Sequence, residues 1–311
     1  MTSFLHGWIL LDKPYGLSST QAVNRLKHFL HQTFFHSFKK MPLKIGHGGT
    51  LDPLATGVLP IALGEATKTV DYVMGSLKEY TFEVTWGETR TTDDKEGEIL
   101  EVSSLRPSAS QILSALPSFI GEISQRPPLY SALKIKGIPS YKRARSGEDV
   151  VLSERIVTVE TLTLLDAKIE SATFFVRCGK GTYVRSIARD LAKTLGTCGY
   201  VSALKRTKVG LFDLSCTISL DNLERLGHKI SENLFSLDAV LDDIPAVSVS
   251  EKQALALKQG QKVSLSERPQ SLSKGDGTLV VVKTEGKNII GFGHYDVPLM
   301  SLHLKRGFNL D

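Results

Sequence analysis

The sequence predicts an α+β protein, because strand and helix periodicities both occur along its 311 residues. From Tyr80 to Trp86, aromatic and aliphatic residues alternate with Thr and Glu, as in a strand with one buried face. From Val184 to Leu195, apolar residues recur three and four positions apart, as in an amphipathic helix. Residues 245–311 carry one helical pattern and several short strands, which predicts a small β-rich C-terminal domain.

The other elements follow from apolar runs and capping residues. Trp8 to Leu11 is a predicted strand that ends at a turn containing Pro14. Ser18 followed by Gln21 has the pattern of a capping box, which predicts a helix over about residues 18–31. The same signals predict strands over Val58–Leu63, Ile99–Val102, Val157–Leu165 and Ala172–Cys178, and helices over Glu65–Met74, after Ser108 and over Ser140–Arg145.

Residues 87–98, GETRTTDDKEGE, form an acidic polar segment between predicted strands. Its carboxylates lack the spacing of a calcium-binding EF-hand loop. The segment is therefore predicted to be a solvated turn.

Composition is typical of a soluble globular protein, with 41% hydrophobic and 23% charged residues. No apolar run approaches the roughly 20 residues of a membrane span. The N-terminus lacks the basic flank and small-residue cleavage site of a secretory signal, so we expect a cytoplasmic protein. Cys178, Cys198 and Cys216 do not have metal-ligand spacing, so we expect free thiols and no metal site.

Basic residues are unevenly distributed in a chain whose net charge is +5. The first basic tract, residues 124–147, contains no acid, and the second, residues 171–212, contains only Asp190. Two such tracts favour a polyanionic partner, although a solvated helix face explains them equally well.

The segment from Lys44 to Gly64 places an aspartate in a glycine-rich loop. Gly46, Gly48 and Gly49 precede Thr50-Leu51-Asp52-Pro53. Glycines allow backbone conformations closed to other residues, and the proline favours an extended conformation at Asp52. Asp52 is therefore either presented for chemistry or part of an ordinary Asp-Pro turn.

The string GHGGTLDPLATG around Asp52 closely resembles the nucleophile loop of the TruB family of tRNA pseudouridine synthases. Further family motifs follow in order. They are PPLYSALKIKGIPSYKRAR, KGTYVRS and LKRTKVGLF, together with Lys13-Pro14 near the N-terminus. The resemblance covers roughly residues 7–212.

The resemblance implies roles for individual residues. Asp52 would be the catalytic carboxylate, and Arg185 would pair with it through a two-point contact. Tyr80 would stack on the target base. Its place in an alternating strand also fits a core aromatic, and the two roles can coexist at a cleft wall. Gly48 departs from the Thr or Ser of many members. The RNA contacts implied by the matching positions and basic tracts are His47, Lys13, Tyr183, Lys134, Arg143, Arg145, Lys180 and Arg206.

The resemblance also implies a fold and a function. The fold is a pseudouridine synthase domain over residues 1–244, with helices around a mixed, largely antiparallel sheet, followed by a PUA-like RNA-binding domain over residues 245–311. The function is isomerisation of the T-loop uridine of tRNA, position 55, bound through the T-arm stem-loop. This reaction needs no cofactor, and nothing in the sequence demands more than a monomer. Two alternatives stay open, an RNA-binding or RNA-folding module and a carboxylate-based hydrolase of nucleosides or glycosides. A glycosidase normally needs two carboxylates, whereas the Asp52 loop supplies one.

Overall fold

The computed structural model describes residues 5–39, 42–148, 150–241, 244–267 and 278–310. Within these ranges the α-helices are α1 Ser19–Phe34, α2 Val70–Gly75, α3 Ala109–Ala115, α4 Ser140–Arg145, α5 Val184–Thr194, α6 Leu220–Leu226 and α7 Glu251–Lys258. The 3-10 helices are Gly64–Thr69, Leu116–Phe119, Leu214–Cys216, Gly227–Asn233 and Leu237–Val240. The strands are β1 Gly7–Lys13, β2 Ile45–His47, β3 Ala55–Leu63, β4 Lys78–Trp86, β5 Glu88–Arg90, β6 Ile99–Val102, β7 Gly121–Gln125, β8 Lys134–Ile135, β9 Ile138–Pro139, β10 Arg155–Ala167, β11 Ser171–Cys178, β12 Gly199–Val209, β13 Phe212–Asp213, β14 Ile218–Ser219, β15 Ala246–Val249, β16 Val263–Ser264, β17 Thr278–Thr284, β18 Ile289–Asp296 and β19 Ser301–Gly307.

A ten-stranded sheet forms the centre of the molecule. Its order is β14-β1-β3-β12-β4-β11-β10-β7, with β2 paired to β3 and β13 paired to β12. The pairs β1/β14 and β3/β12 are parallel, whereas the other pairs of this sheet are antiparallel. The predicted α+β class with a mixed, largely antiparallel sheet is confirmed.

The burial of each strand explains its sequence pattern. In β3 every residue except Thr56 is buried, as expected for a central strand covered on both faces. The alternation in β4 matches a strand with one deeply buried face, where Phe82 and Val84 lie in the core. Residues from α1, α3, α5 and α6 complete this apolar core against the sheet.

The predicted capping boxes are present. At the start of α1, the Gln21 N–H donates to Ser18 Oγ, and the Ser18 N–H donates to Gln21 Oε1. Ser108 and Gln111 make the same reciprocal pair before α3. These local contacts satisfy N–H groups that a helix terminus leaves unpaired.

The helix predicted over Glu65–Met74 is divided in two. A 3-10 segment, Gly64–Thr69, precedes α2. In the 3-10 segment, Thr67 Oγ1 donates to Gly64 O and Thr69 Oγ1 donates to Ala66 O, 2.7 and 2.8 Å away. Threonine side chains thus bond to the carbonyl oxygens three residues back, alongside the tighter 3-10 turn.

The predicted β-rich C-terminal part is also present. A five-stranded sheet of order β15-β17-β18-β19-β16 packs with α7 around its own apolar core. Tyr72 of α2 stacks on Phe292 of β18 with ring centroids 4.7 Å apart, and Lys68 Nζ donates to Gly307 O at 2.7 Å. The linker predicted near Asp242 to Pro245 begins at two residues outside the described ranges.

In the part of the chain that the structure describes, none of the helices combines the length and apolarity needed to cross a bilayer.

Candidate active site

The loop between β2 and β3 presents Asp52 from a backbone held on both sides. Ser19 of α1 clamps Leu51, because its hydroxyl accepts from Leu51 N at 2.7 Å and donates to Leu51 O at 3.0 Å. On the other side, Gly16 N donates to Pro53 O at 2.9 Å. The Asp52 side chain stays 32% exposed within this fixed loop. The structure therefore places Asp52 where a bound molecule can reach it.

Gly48 stands where the resembling family often carries a hydroxyl side chain, and the packing explains the departure. A Cβ at this position would lie 2.6 Å from Val73 Cγ1. The Gly48 N–H still donates to Pro60 O at 2.8 Å. In this chain the loop passes too close to α2 for a side chain to fit without movement.

Lys13 holds the Asp52 loop through hydrogen bonds to backbone carbonyl oxygens. Its side chain has no exposed surface, and its ammonium donates to the carbonyl oxygens of Pro14, Leu17 and Pro53. Burial lowers the pKa of Lys13 to about 8, and the nearby carboxylate of Asp52 acts in the opposite sense. The predicted RNA contact of Lys13 is therefore corrected, because a fully buried ammonium positions the loop instead.

Arg185, from the first turn of α5, reaches Asp52 as predicted. Its Nε lies 2.9 Å from Asp52 Oδ2, and its side chain is only 4% exposed. The Nη1 group donates to Thr92 O at 2.8 Å and the Nη2 group to Tyr130 O at 3.0 Å. The guanidinium thus joins Asp52 to two other segments of the chain.

The contact between Arg185 and Asp52 differs from the predicted two-point pair. Both terminal nitrogens are occupied by backbone carbonyl oxygens, and the Nε–H is not directed for a hydrogen bond. The contact is an ion pair through one nitrogen. Its geometry is set by the surrounding backbone rather than by the carboxylate alone.

The prediction that residues 87–98 form a solvated turn is wrong for its two aspartates. Asp93 and Asp94 are 8% and 2% exposed. Asp94 Oδ2 lies 3.4 Å from Arg185 Nη1, and Asp93 Oδ2 lies 2.9 Å from Arg189 Nη1. Arginines one helical turn apart on α5 supply the countercharges that let this acidic segment be buried.

Burial raises the pKa of Asp94, although the Thr92 hydroxyl and the Arg185 guanidinium both favour its charged form. The Thr92 hydroxyl donates to Asp94 Oδ1, and so does the Glu96 N–H, at 3.1 Å. Asp94 is thereby held next to Arg185 from within its own loop.

A cleft of about 420 Å³ opens above Asp52. Six of the predicted site residues line it, namely Asp52, Tyr80, Lys180, Tyr183, Arg185 and Arg206. Its volume lies within the range of pockets that hold small organic molecules. The structure therefore brings the predicted catalytic residues together in one cavity.

Tyr80 forms part of the cleft wall and also contacts the core. Its ring packs against the main apolar cluster, while its side chain remains half-buried at the cavity. Burial raises the pKa of Tyr80, and Arg206 acts in the opposite sense. Tyr80 therefore holds a core position and a cleft position together, as the sequence allowed.

Arg206 is buried rather than offered to a ligand on the surface. It is 1% exposed, its Nε donates to Val58 O at 2.8 Å and its Nη2 to Gly49 O at 3.0 Å. Strands β3 and β12 also lie very close together at this point. A Cβ on Gly57, which pairs with Arg206 across the two strands, would lie 2.2 Å from Arg206 O. Arg206 thus ties β12 to the Asp52 loop while it lines the cleft, and its contact with RNA stays a prediction.

The remaining predicted RNA contacts fall into two groups. Lys134, Lys180 and Arg145 are exposed, and Arg145 lies 5.8 Å from the ring of Tyr141. Arg143 is half-buried and pairs with Glu148 at 2.6 Å.

His47 is also half-buried, and its Nδ1 has no hydrogen-bond partner among the described residues. Burial lowers the pKa of His47, and Arg206 adds to this effect. A neutral imidazole is therefore favoured at this position.

Lys78 lines the cleft but was missed by sequence reasoning. It is 7% exposed, and its ammonium donates to the carbonyl oxygens of Val73, Met74 and Ser76 at the end of α2. Burial lowers the pKa of Lys78 to about 8. A lysine at the first position of a strand gives no local signal of such burial.

The described residues contain no group of three or more His, Cys, Asp or Glu side chains placed to hold a metal ion.

Comparison with known families gives two adjoining matches. Residues 36–184 match the model of the TruB family pseudouridylate synthase N-terminal domain, and residues 185–246 match the tRNA pseudouridylate synthase B C-terminal domain. The boundary between the two matches falls at Arg185. Asp52, Tyr80 and the acidic loop lie within the first match.

Two relatives illustrate the similarity. The tRNA pseudouridine synthase B of Rhodospirillum rubrum is 49% identical over 264 residues, which cover 84% of this chain and 82% of the relative. The tRNA pseudouridine synthase B of Zymomonas mobilis is 48% identical over 265 residues, covering 84% and 86%.

Solved structures share the fold at lower identity. A chain of a Cbf5-Nop10-Gar1 complex superposes with a TM-score of 0.72 at 24% identity, over 99% of this chain and 86% of that chain. A chain of an H/ACA RNP bound to a substrate RNA gives 0.70 at 21% identity, over 99% and 86%. The likeness spans the β-rich C-terminal part as well as the central sheet.

Proposed function

The chain belongs to the TruB family of pseudouridine synthases, and we propose that it isomerises the uridine at position 55 in the T-loop of tRNAs. Asp52 is the catalytic carboxylate in this proposal. The observation that carries it is the ion pair of a partly exposed Asp52 with a buried Arg185 in a cleft lined by Tyr80. The names of the relatives support tRNA as the substrate.

The chemistry fits the groups in the cleft. Converting uridine to pseudouridine breaks a C–N glycosidic bond, turns the base and rejoins it through carbon, with no net oxidation or hydrolysis. One carboxylate beside the sugar and base, a flipped-out nucleotide and a sheltered cavity are what this reaction needs. Asp52 supplies the carboxylate, and Tyr80 supplies an aromatic face for the base.

The basic side chains around the cleft would hold the RNA. Lys134, Arg145 and Lys180 are exposed and suit phosphate contacts. Tyr183 lines the cavity and would pack near the flipped base. His47 is placed on β2, next to the Asp52 loop, where it would support the displaced strand.

We assign the catalytic domain to residues 1–244 and a PUA-like RNA-binding domain to residues 245–311, with a monomer as the active form.

Two other functions are less well supported. A glycoside hydrolase uses two accessible carboxylates, whereas Asp94, the carboxylate that shares Arg185, is 2% exposed. An RNA-folding module would not need a buried arginine held against one exposed aspartate. A catalytic role of Asp52 accounts for that pair.

The test is to locate the modified nucleotide. A full-length tRNA transcript is incubated with the enzyme, and pseudouridine is mapped by carbodiimide labelling and primer extension. We expect a stop that reports position 55, also in an isolated T-arm hairpin, and none in a transcript with cytidine there. Pseudouridine at another position, or none at all, would refute the proposed function.

A further inference from the structure

Gln125, the last residue of β7, binds one backbone unit with both ends of its amide. Its Oε1 accepts from Tyr183 N at 2.8 Å, and its Nε2 donates to Tyr183 O at 3.1 Å. The side chain is 1% exposed and does not line the cleft above Asp52. A buried amide that uses donor and acceptor on the same residue fixes both the position and the orientation of that residue.

Tyr183 is the N-cap of α5, directly before its first residue Val184. It caps the helix without a side-chain hydrogen bond of its own, and its carbonyl oxygen accepts the first helical bond from Ile187 N at 3.2 Å. Helix starts are usually fixed by a Ser, Thr, Asp or Asn cap. Here Gln125, from strand β7, instead fixes the backbone of the cap residue Tyr183 itself. Arg185 follows Tyr183 by two residues and takes its place from this helix start.

Three further hydrogen bonds join the same stretch of chain to α5. Ser186 Oγ and Arg189 Nη2 each donate to Arg126 O at 2.8 Å. Arg185 Nη2 donates to Tyr130 O at 3.0 Å. Residues 125–130 and the first two turns of α5 are therefore one hydrogen-bonded unit. The first basic tract continues from this unit to the exposed side chain of Lys134.

We propose that Gln125 is a positioning residue that couples the first basic tract to Arg185, so that seating of RNA on the tract and alignment of Arg185 against Asp52 are linked. The inference rests on the proposed function, and it adds a link between the binding of RNA and the position of Arg185 against Asp52. Gln125 acts through Tyr183 and touches no substrate. Reacting groups tolerate little misplacement, since an error of 1 Å can cost about a hundredfold in rate.

The first test is the variant Gln125→Met, which keeps the length of the side chain and removes both hydrogen bonds. Single-turnover release of tritium from a T-arm hairpin containing 5-tritiated uridine gives the rate, and filter binding of the same hairpin gives the affinity. We expect the rate to fall at least about tenfold and the affinity to stay within about threefold of wild type.

The second test separates positioning from general damage. In Gln125→Glu the ionised carboxylate still accepts from Tyr183 N but opposes Tyr183 O, whereas the protonated acid restores both hydrogen bonds. Because burial favours the neutral acid, the rate of this variant relative to wild type should rise as the pH is lowered from 8 to 6. The ratio for Gln125→Met should stay flat. Gln111→Glu, the same change in the exposed capping box of α3, should match wild type throughout.

Equal rates for wild type and Gln125→Met would overturn the inference, and so would a Gln125→Glu ratio that does not change with pH. A parallel loss of rate and hairpin affinity would overturn it as well, because coupling predicts a loss of rate at saturating enzyme. If the proposed function is wrong, the wild type itself releases no tritium. If only the coupling is wrong, the wild type releases tritium and the Gln125 variants do not differ from it as predicted.

Discussion

The buried carboxylate of Asp94 lies 3.4 Å from the guanidinium of Arg185, the same group that pairs with the partly exposed carboxylate of Asp52. One arginine thus serves two aspartates of different accessibility. Asp94 is fixed by Thr92 and by the Glu96 N–H, so it can hold the arginine in place without meeting a ligand. Asp52 keeps the accessible position.

Replacing Asp94 with Asn should slow catalysis more than it weakens binding. The amide keeps the shape but removes the charge that balances Arg185, so the guanidinium is held less firmly against Asp52. We expect turnover to fall at least about tenfold, or about 1.4 kcal/mol in the barrier, with hairpin affinity nearly unchanged. Asp166→Asn, at an exposed ion pair on the β10–β11 hairpin, is the matched control. Normal turnover in Asp94→Asn would show that Asp94 does not position Arg185.

Arg185→Lys should also reduce turnover more than affinity. Lysine cannot reach Asp52, Thr92 O and Tyr130 O together, because its single ammonium lacks the planar, branched donors of arginine. Steady-state tritium release should show a lower kcat with little change in KM. Arg177→Lys, at an exposed ion pair with Glu160, controls for the exchange itself. A lysine variant with wild-type kcat contradicts the assignment of Arg185.

Lys13 should make the stability of the protein depend on pH in the alkaline range. Burial lowers the pKa of Lys13 from 10.5 to about 8, so between these values the unfolded chain binds more protons than the folded one. The free energy of unfolding of wild type, relative to Lys13→Met, should therefore rise from pH 8 to pH 10, by at most about 1.4 kcal/mol per pH unit. Urea unfolding at several pH values measures it. A difference that is flat or falls with pH contradicts the burial of a charged Lys13.

Binding of the T-arm hairpin should weaken with salt in proportion to the exposed basic residues around the cleft. Each single-strand phosphate neutralised contributes about 0.7 to the log-log slope. Changing Lys134, Arg145 and Lys180 together to Gln should lower the slope by about 2. Lys168→Gln, on the β10–β11 hairpin, should leave it unchanged. Affinity indifferent to salt would refute the phosphate contacts.

Local signals in the sequence were sufficient for much of the fold. Ser18 with Gln21 and Ser108 with Gln111 fixed the starts of α1 and α3, because a capping box is completed within four residues. The alternation in β4 and the apolar run of β3 likewise report burial directly. Motif resemblance located Asp52 and Arg185, which lie 2.9 Å apart although 133 positions separate them.

The burial of some charged side chains could not be predicted from the neighbouring sequence, because their partners are distant in the chain. Asp93 and Asp94 lie in an acidic, turn-like segment, and only their pairing with arginines of α5 makes burial possible. Lys13 and Arg206 were predicted to contact RNA and Lys78 gave no signal, yet each donates to backbone carbonyl oxygens inside the protein. A residue type gives its charge, whereas its partners are set by the tertiary fold.

The most direct test of the central claim compares wild type with Asp52→Asn. Tritium release from 5-tritiated uridine in the T-arm hairpin is measured alongside binding of the same hairpin. We predict release by the wild type, no detectable release by Asp52→Asn, and hairpin affinities within about threefold of each other, because the amide preserves the shape of the side chain and removes its charge. Release by Asp52→Asn at the wild-type rate, or tight binding without release by the wild type, would contradict the claim that Asp52 is the catalytic group.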